Sequence, residues 1–232
     1  MKSIDRTYVE NQTKKDAIHL LLTGSASLVP IVGDIIKFIF EDPAMKRRDD
    51  WIQSIANRVQ KLEENNISIE NLKDNENFIS AVFYASSIAV KTHSEEKHKR
   101  LLNALTNTAL TPSIDETKQT IFLNLINEFT ELHILLLEFF YNPNEKVIQL
   151  ESSNNIIFNN NSFLQVLKDY YKDKLFNDEV LKIVINTLYS NNLISINNDR
   201  MSTTMTRDGL LTKRTTNIGD EFIEFIRNPL EK

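Results

Sequence analysis

Asp42, Thr92, Ser113, Thr130, Asn177 and Thr216 each stand at the head of a run of apolar residues with helical spacing. Asp, Asn, Ser and Thr in that place accept hydrogen bonds from the first free backbone N–H groups of a helix, so the pattern marks where helices begin. Thr92 with Glu95, and Ser113 with Glu116, also have the acidic partner of a capping box. Asp42 precedes Pro43, whose fixed φ suits the first helical position. Only 4 glycines and 5 prolines occur in 232 residues, too few breakers for a turn-rich all-β fold.

The apolar positions then define the helices. A helix over 43–64 places Met45, Ile52, Ile55, Val59 and Leu62 on one side. A short turn at 68–73 leads into 76–91, with Phe78, Val82, Phe83, Ile88 and Ala89 facing inward. Leu101, Leu102 and Leu105 are the buried candidates of 95–109. Helices over 113–129 and 131–141 follow, the latter on Ile134, Leu135, Leu137 and Phe140. Residues 1–129 are expected to form an all-α bundle.

Composition changes at 142–162, where Asn, Ser and Glu interrupt small apolar pairs. A strand near 146–150 and a plain surface loop both stay open there. Helices over 163–176 and 178–190 share Asn177 as a cap, and residues 193–196 alternate like a strand. Threonine-rich runs on either side of Asp208-Gly209 read as a hairpin, because both residues tolerate the positive φ of a type I′ turn. Thr216-Asn217 caps a last helix over 218–227. Helix, helix, strand and hairpin are the parts of a winged helix, with 131–141 as its first element. The expected fold is mainly α: a multi-helix bundle, then a winged-helix-like region over 130–232 with a β-hairpin wing.

The stretch LLLTGSASLVPIVGDIIKFIF, Leu20 to Phe40, carries only Asp34 and Lys37 as charges. A membrane span needs ~20 apolar residues in continuous helix, and Pro30 and Gly33 break this one near its middle. Asp34, Lys37 and Glu41 share one helix face. Two readings stay open: a pair of short helices inside the bundle, or an interfacial hairpin with Lys46-Arg47-Arg48 and Trp51 at headgroup level. Leu28, Ile31, Ile35, Ile36, Phe38, Phe40 and Trp51 are the candidate membrane or partner contacts.

The chain has no cysteine, which excludes disulfides, thiolate metal sites and cysteine nucleophiles. His93 and His98 are five apart, not the four of a zincin helix. Neighbouring acids such as Asp49-Asp50, Glu63-Glu64 and Glu95-Glu96 diverge by about 100° on a helix and make no carboxylate dyad. No phosphate-loop, dinucleotide or nucleophile-elbow motif is present. No catalytic residue, cofactor, metal or small-molecule substrate is expected, and the chain reads as a non-enzymatic interaction protein with a protein partner or a second copy. Nucleic acid is the rival partner. Arg200, Arg207, Lys213 and Arg214 gather around the single Asp208, a basic patch suited to phosphates. Against it, the net charge is −5, and the helix in the recognition position opens on Asp178-Glu179 and carries only Lys182. The N-terminus lacks a signal-peptide pattern, so the expected location is cytoplasmic, or peripheral at the inner face of the cell membrane if the hairpin inserts.

The run from Glu95 to Phe140 has a Glu/Lys-rich helix leading to an Asn-Ala pair, a loop, a phenylalanine-bearing helix, and a Thr-x-x-His helix start. In this layout it resembles bacterial helical proteins of the abortive-infection alpha type. The matching positions are Glu96, Lys97, Leu102, Asn103, Ala104, Phe122, Leu123, Ile126, Thr130, His133 and Leu136. The resemblance spans residues 76–141, with a looser echo in Thr216, Gly219, Phe222 and Ile226. It implies a role in phage resistance and carries over no catalytic residue.

Overall fold

A computed structural model describes residues 45–65, 67, 72–111, 115–171 and 177–230. The apolar stretch 20–40, with Leu28, Ile31, Ile35, Ile36, Phe38 and Phe40, lies outside the described residues, as do Asp42 and Ser113. The described residues are mainly helical, with one small antiparallel pair of strands. They fall into two compact units: residues up to Glu128 together with Phe225 onward, and Phe129–Glu224.

In the first unit, α1 (Met45–Glu64) buries Trp51, Ile52, Ile55, Val59 and Leu62 along one face. Asn75 caps α2 (Glu76–Ala89) by accepting from Phe78 N at 3.0 Å. Ser94 caps α3 (Glu95–Leu110), accepting from Lys97 N at 3.1 Å. Thr92 takes a different part from the one expected: its hydroxyl accepts from Ser94 N. Ser94 sits one residue before Glu95, which is the cap position for a helix starting there. Asp115 Oδ1 accepts from Lys118 N at 2.8 Å at the start of α4 (Glu116–Glu128). The pairs α2–α3, α2–α4, α3–α4 and α1–α3 pack together. Phe122 is 1% exposed and its ring stands 5.4 Å from that of Phe225.

The second unit begins with α5 (Glu131–Tyr141), α6 (Pro143–Asn154), β1 (Asn161–Ser162), α7 (Phe163–Tyr170) and α8 (Asp178–Ser190). It continues with α9 (Asn198–Met201), β2 (Thr204–Met205), α10 (Arg207–Leu211) and α11 (Asn217–Ile226), of which Phe225 and Ile226 fall in the first unit. β1 and β2 pair antiparallel, Asn161 opposite Met205 and Ser162 opposite Thr204. Phe139, Phe140, Phe163 and Tyr170 meet edge-to-face at the centre, a geometry favoured by the ring quadrupoles.

Three expectations for this unit are corrected. Residues 146–150 are neither strand nor loop but lie in α6. Asn142 caps that helix, Pro143 opens it, and Asn155 closes it in the left-handed region at φ 50°. Val147 and Leu150 are its buried apolar positions, three apart as one helix face requires. The hairpin across Asp208-Gly209 is absent, because the segment is α10. Thr206 caps it by accepting from Gly209 N at 3.3 Å, and Leu210 is fully buried. Burial of Leu210 and a satisfied cap outweigh the turn propensity of Asp-Gly. Residues 193–196 contribute a single antiparallel bridge, Ile194 to Thr215, rather than a strand.

Candidate interaction surface

The site follows from α8. Leu181, Val184, Ile185 and Leu188 are buried on one side of this helix, and α8 packs on α5. Asn177 caps it by accepting from Glu179 N at 2.7 Å, so its start is fixed. The opposite side is unusual for a solvated helix. Val180 is 47% exposed, Ile183 63% and Tyr189 46%. Val180, Ile183 and Thr187 lie at i, i+3 and i+7 and share one edge of that face. Tyr189, nine positions after Val180, lies on the other edge of that face, and single exposed apolar residues are ordinary.

Charge on α8 is mostly acidic. Its first turn is acidic, Asp178 and Glu179, and Asp178 is bridged by Lys168 at 2.8 Å. Lys182 is its one cation. Next to it, Asn198 Nδ2 donates to Lys182 O at 3.0 Å and ties α9 to α8.

The four cations expected to form a basic patch divide in two. Arg207 is spent on Glu151: its Nε donates to Oε1 at 3.1 Å and its Nη2 to Oε2 at 2.7 Å. Glu151 is 7% exposed and also accepts from Phe158 N at 2.9 Å. The Arg207 hydrogen bonds, joined by that backbone donor, hold the Glu151 carboxyl below the usual glutamate range. Lys213 bridges to Asp220 at 2.6 Å and lies 4.4 Å from the centre of the Tyr141 ring. Arg214 is half-buried, with Nη2 on Gly209 O at 2.8 Å and its guanidinium 5.6 Å from the Phe163 ring centre. Arg200 is exposed on α9. Arg207 and Lys213 are therefore already neutralised, which sequence spacing alone did not reveal: their acids, Glu151 and Asp220, lie outside the threonine-rich segment.

Trp51, a candidate membrane or partner contact, is a core residue instead. It is 2% exposed, and its Nε1 donates to Ser86 Oγ at 2.9 Å. An indole with its N–H satisfied inside the bundle has no polar tip to offer a headgroup layer. Among the described residues no helix is long and apolar enough to cross a membrane.

Thr130, His133, Asn103 and Gly219 act in packing and capping. Thr130 N donates to His133 Nδ1 at 3.2 Å, and the His133 ring stacks on Phe129 at 4.8 Å. Asn103 Nδ2 donates to Ile226 O. At Gly219 an added Cβ would stand 2.1 Å from Leu193 O, so only glycine fits there.

No protein-family model matches the chain, and neither a curated protein nor a solved structure is detectably similar to it.

Proposed function

We propose that this chain is a non-enzymatic bacterial accessory protein, acting in phage defence by gripping another protein through the exposed face of α8. The observation that carries the reading is the pairing of apolar exposure with missing positive charge. Val180, Ile183 and Tyr189 face solvent on a helix that opens with two acids. Base-reading helices offer Arg, Lys, Asn or Gln to groove edges, whereas protein contacts centre on apolar and aromatic anchors. The order helix, strand, helix, helix, strand through α6, β1, α7, α8 and β2 supports a winged-helix-like unit without a β-hairpin wing, used as a contact module. The defence context rests on the resemblance to the abortive-infection alpha type.

The test is a phage challenge of cells expressing the chain, in parallel with a chain carrying Ile183→Asp. At 63% exposure this substitution leaves the core untouched. Loss of protection with unchanged protein level supports the reading. Full protection by the variant removes α8 from the mechanism, and no protection by the parent chain removes the defence role.

A second reading, a DNA-binding regulator, is favoured by Arg200 and Arg214, which no described carboxylate pairs. It requires duplex affinity that falls steeply with salt and drops on changing both arginines to Ala. The N-terminal apolar stretch adds a membrane-touching route: co-sedimentation with anionic vesicles, abolished by Ile35→Asp with Ile36→Asp, is its signature.

A further inference from the structure

The connection from α6 to β1 leaves one residue unpaired on its outer edge. Asn155 and Asn160 both lie in the left-handed region, at φ 50° and 58°, and bend the chain on either side of 156–159. Between them, alternate backbone donors turn inward onto Glu151. Ile156 N donates to Glu151 O at 3.1 Å, and Phe158 N donates to Glu151 Oε1 at 2.9 Å. Phe158 is buried, whereas Ile157 is 77% exposed. This alternation of bonding and burial is that of a strand, in which successive residues face opposite ways. The N–H and C=O of Ile157 therefore lie on the edge away from Glu151, and neither has a partner among the described residues.

The surroundings favour a second copy of the same chain as the occupant of that edge. From Glu151 to Lys168 no charged residue intervenes, and Glu151 itself is neutralised by Arg207. Two copies with a net charge of −5 each can meet at this segment without setting like charges opposite each other. Asn159 and Asn160 are exposed, and an amide that both donates and accepts is complementary to its own image. The edge is too short for a long foreign strand, because the chain turns away at both asparagines. A two-fold pair needs only one residue from each side. In an antiparallel ladder a hydrogen-bonded residue pair exchanges both of its N–H···O bonds, and a two-fold axis makes the two halves of that pair identical.

We propose that Ile157 is the centre of a two-fold self-contact in which the 156–159 edges of two copies pair antiparallel. Each copy's Ile157 N–H donates to the Ile157 carbonyl of the other, and the two isoleucine side chains cover each other. Two hydrogen bonds and a pair of isoleucines bury little area, so the contact belongs to the transient class. It stands independently of the α8 contact face.

The experiment is sedimentation velocity of the full chain over a concentration series. The weight-average coefficient of the parent should rise with concentration. Ile157→Asp and Ile157→Lys, both at a solvent-facing position that spares the core, should each abolish the rise, since like charges then stand opposite each other. An equimolar mixture of these two variants should regain it, because opposite charges then face each other across the axis. Ile183→Asp should leave the parent's rise unchanged, which separates this contact from the α8 surface. A parent without concentration dependence, a rise that survives Ile157→Asp, or a mixture that does not reassociate overturns the proposal. A rise lost on Ile183→Asp moves the self-contact to α8 and overturns it as well.

Discussion

Asn103 holds the end of α11: its Nδ2 donates to Ile226 O at 3.0 Å. The last carbonyls of a helix have no partner within the helix. Asn107 supplies two more from α3, its Nδ2 lying 2.9 Å from both Phe225 O and Arg227 O. Arg58 completes the clamp, donating to Asn103 Oδ1 at 3.3 Å and to Asn228 Oδ1 at 3.1 Å. Asn103→Ala should cost about 1–2 kcal/mol, because a carbonyl and a guanidinium N–H each lose a partner. Urea denaturation measures the loss, and hydrogen exchange at Asn228 should quicken first.

Gly219 tests backbone approach rather than bonding. A Cβ there meets Leu193 O at 2.1 Å and Leu193 C at 3.0 Å, both backbone atoms. The same carbonyl accepts from Thr216 N at 3.0 Å, so it cannot retreat without breaking the junction. Gly219→Ala should destabilise by about 3 kcal/mol, at the upper end of overpacking costs, although alanine favours helix. A neutral or stabilising result in thermal unfolding would mean the junction is looser than described.

The Glu151–Arg207 pair should shape the acid limb of stability. Glu151 binds its proton less readily folded than unfolded. Its contribution is therefore fully present above the unfolded carboxyl's pKa and is lost as pH falls through the lower, folded value. Arg207 stays charged throughout this window. Glu151→Gln should flatten the fall in denaturation midpoint through the acid range. It should also lower stability near neutral pH, where Arg207 loses its partner. An unchanged acid slope would mean that the pair is not formed in solution.

Thr130 and His133 fix the start of α5. Thr130→Ala should cost about 1 kcal/mol, the usual worth of an N-cap. His133→Ala should cost more, as it also removes the stack on Phe129 at 4.8 Å. Circular dichroism during thermal unfolding distinguishes the two.

The helices were legible where a cap and a periodic apolar face agreed. Residues 178–190 behind Asn177 are the case: the cap side chain and both ends follow from sequence. Legibility failed where local propensity met a tertiary demand. Asp208-Gly209 favours a turn by itself, yet the burial of Leu210 and the Thr206 cap wind it into α10. In 143–154 one of the positions on the buried face is the polar Glu151, whose partner Arg207 lies 56 residues away. The candidate surface was half legible. The cations were visible in sequence, but which of them were already paired depended on contacts that spacing does not encode. The exposed face of α8 was hidden because Val180 and Ile183 are of the same apolar kind as its buried Val184 and Ile185.

The most direct test of the contact face is photocrosslinking in cells from a photoreactive side chain at position 183, with position 121 in α4 as the control. Ile121 is also exposed, at 49%, but belongs to the first unit. A discrete protein adduct from 183 that is absent from 121 and disappears with Val180→Asp is the predicted result. Adducts to nucleic acid from 183, or none at all, would contradict the assignment of α8 as a protein-gripping surface.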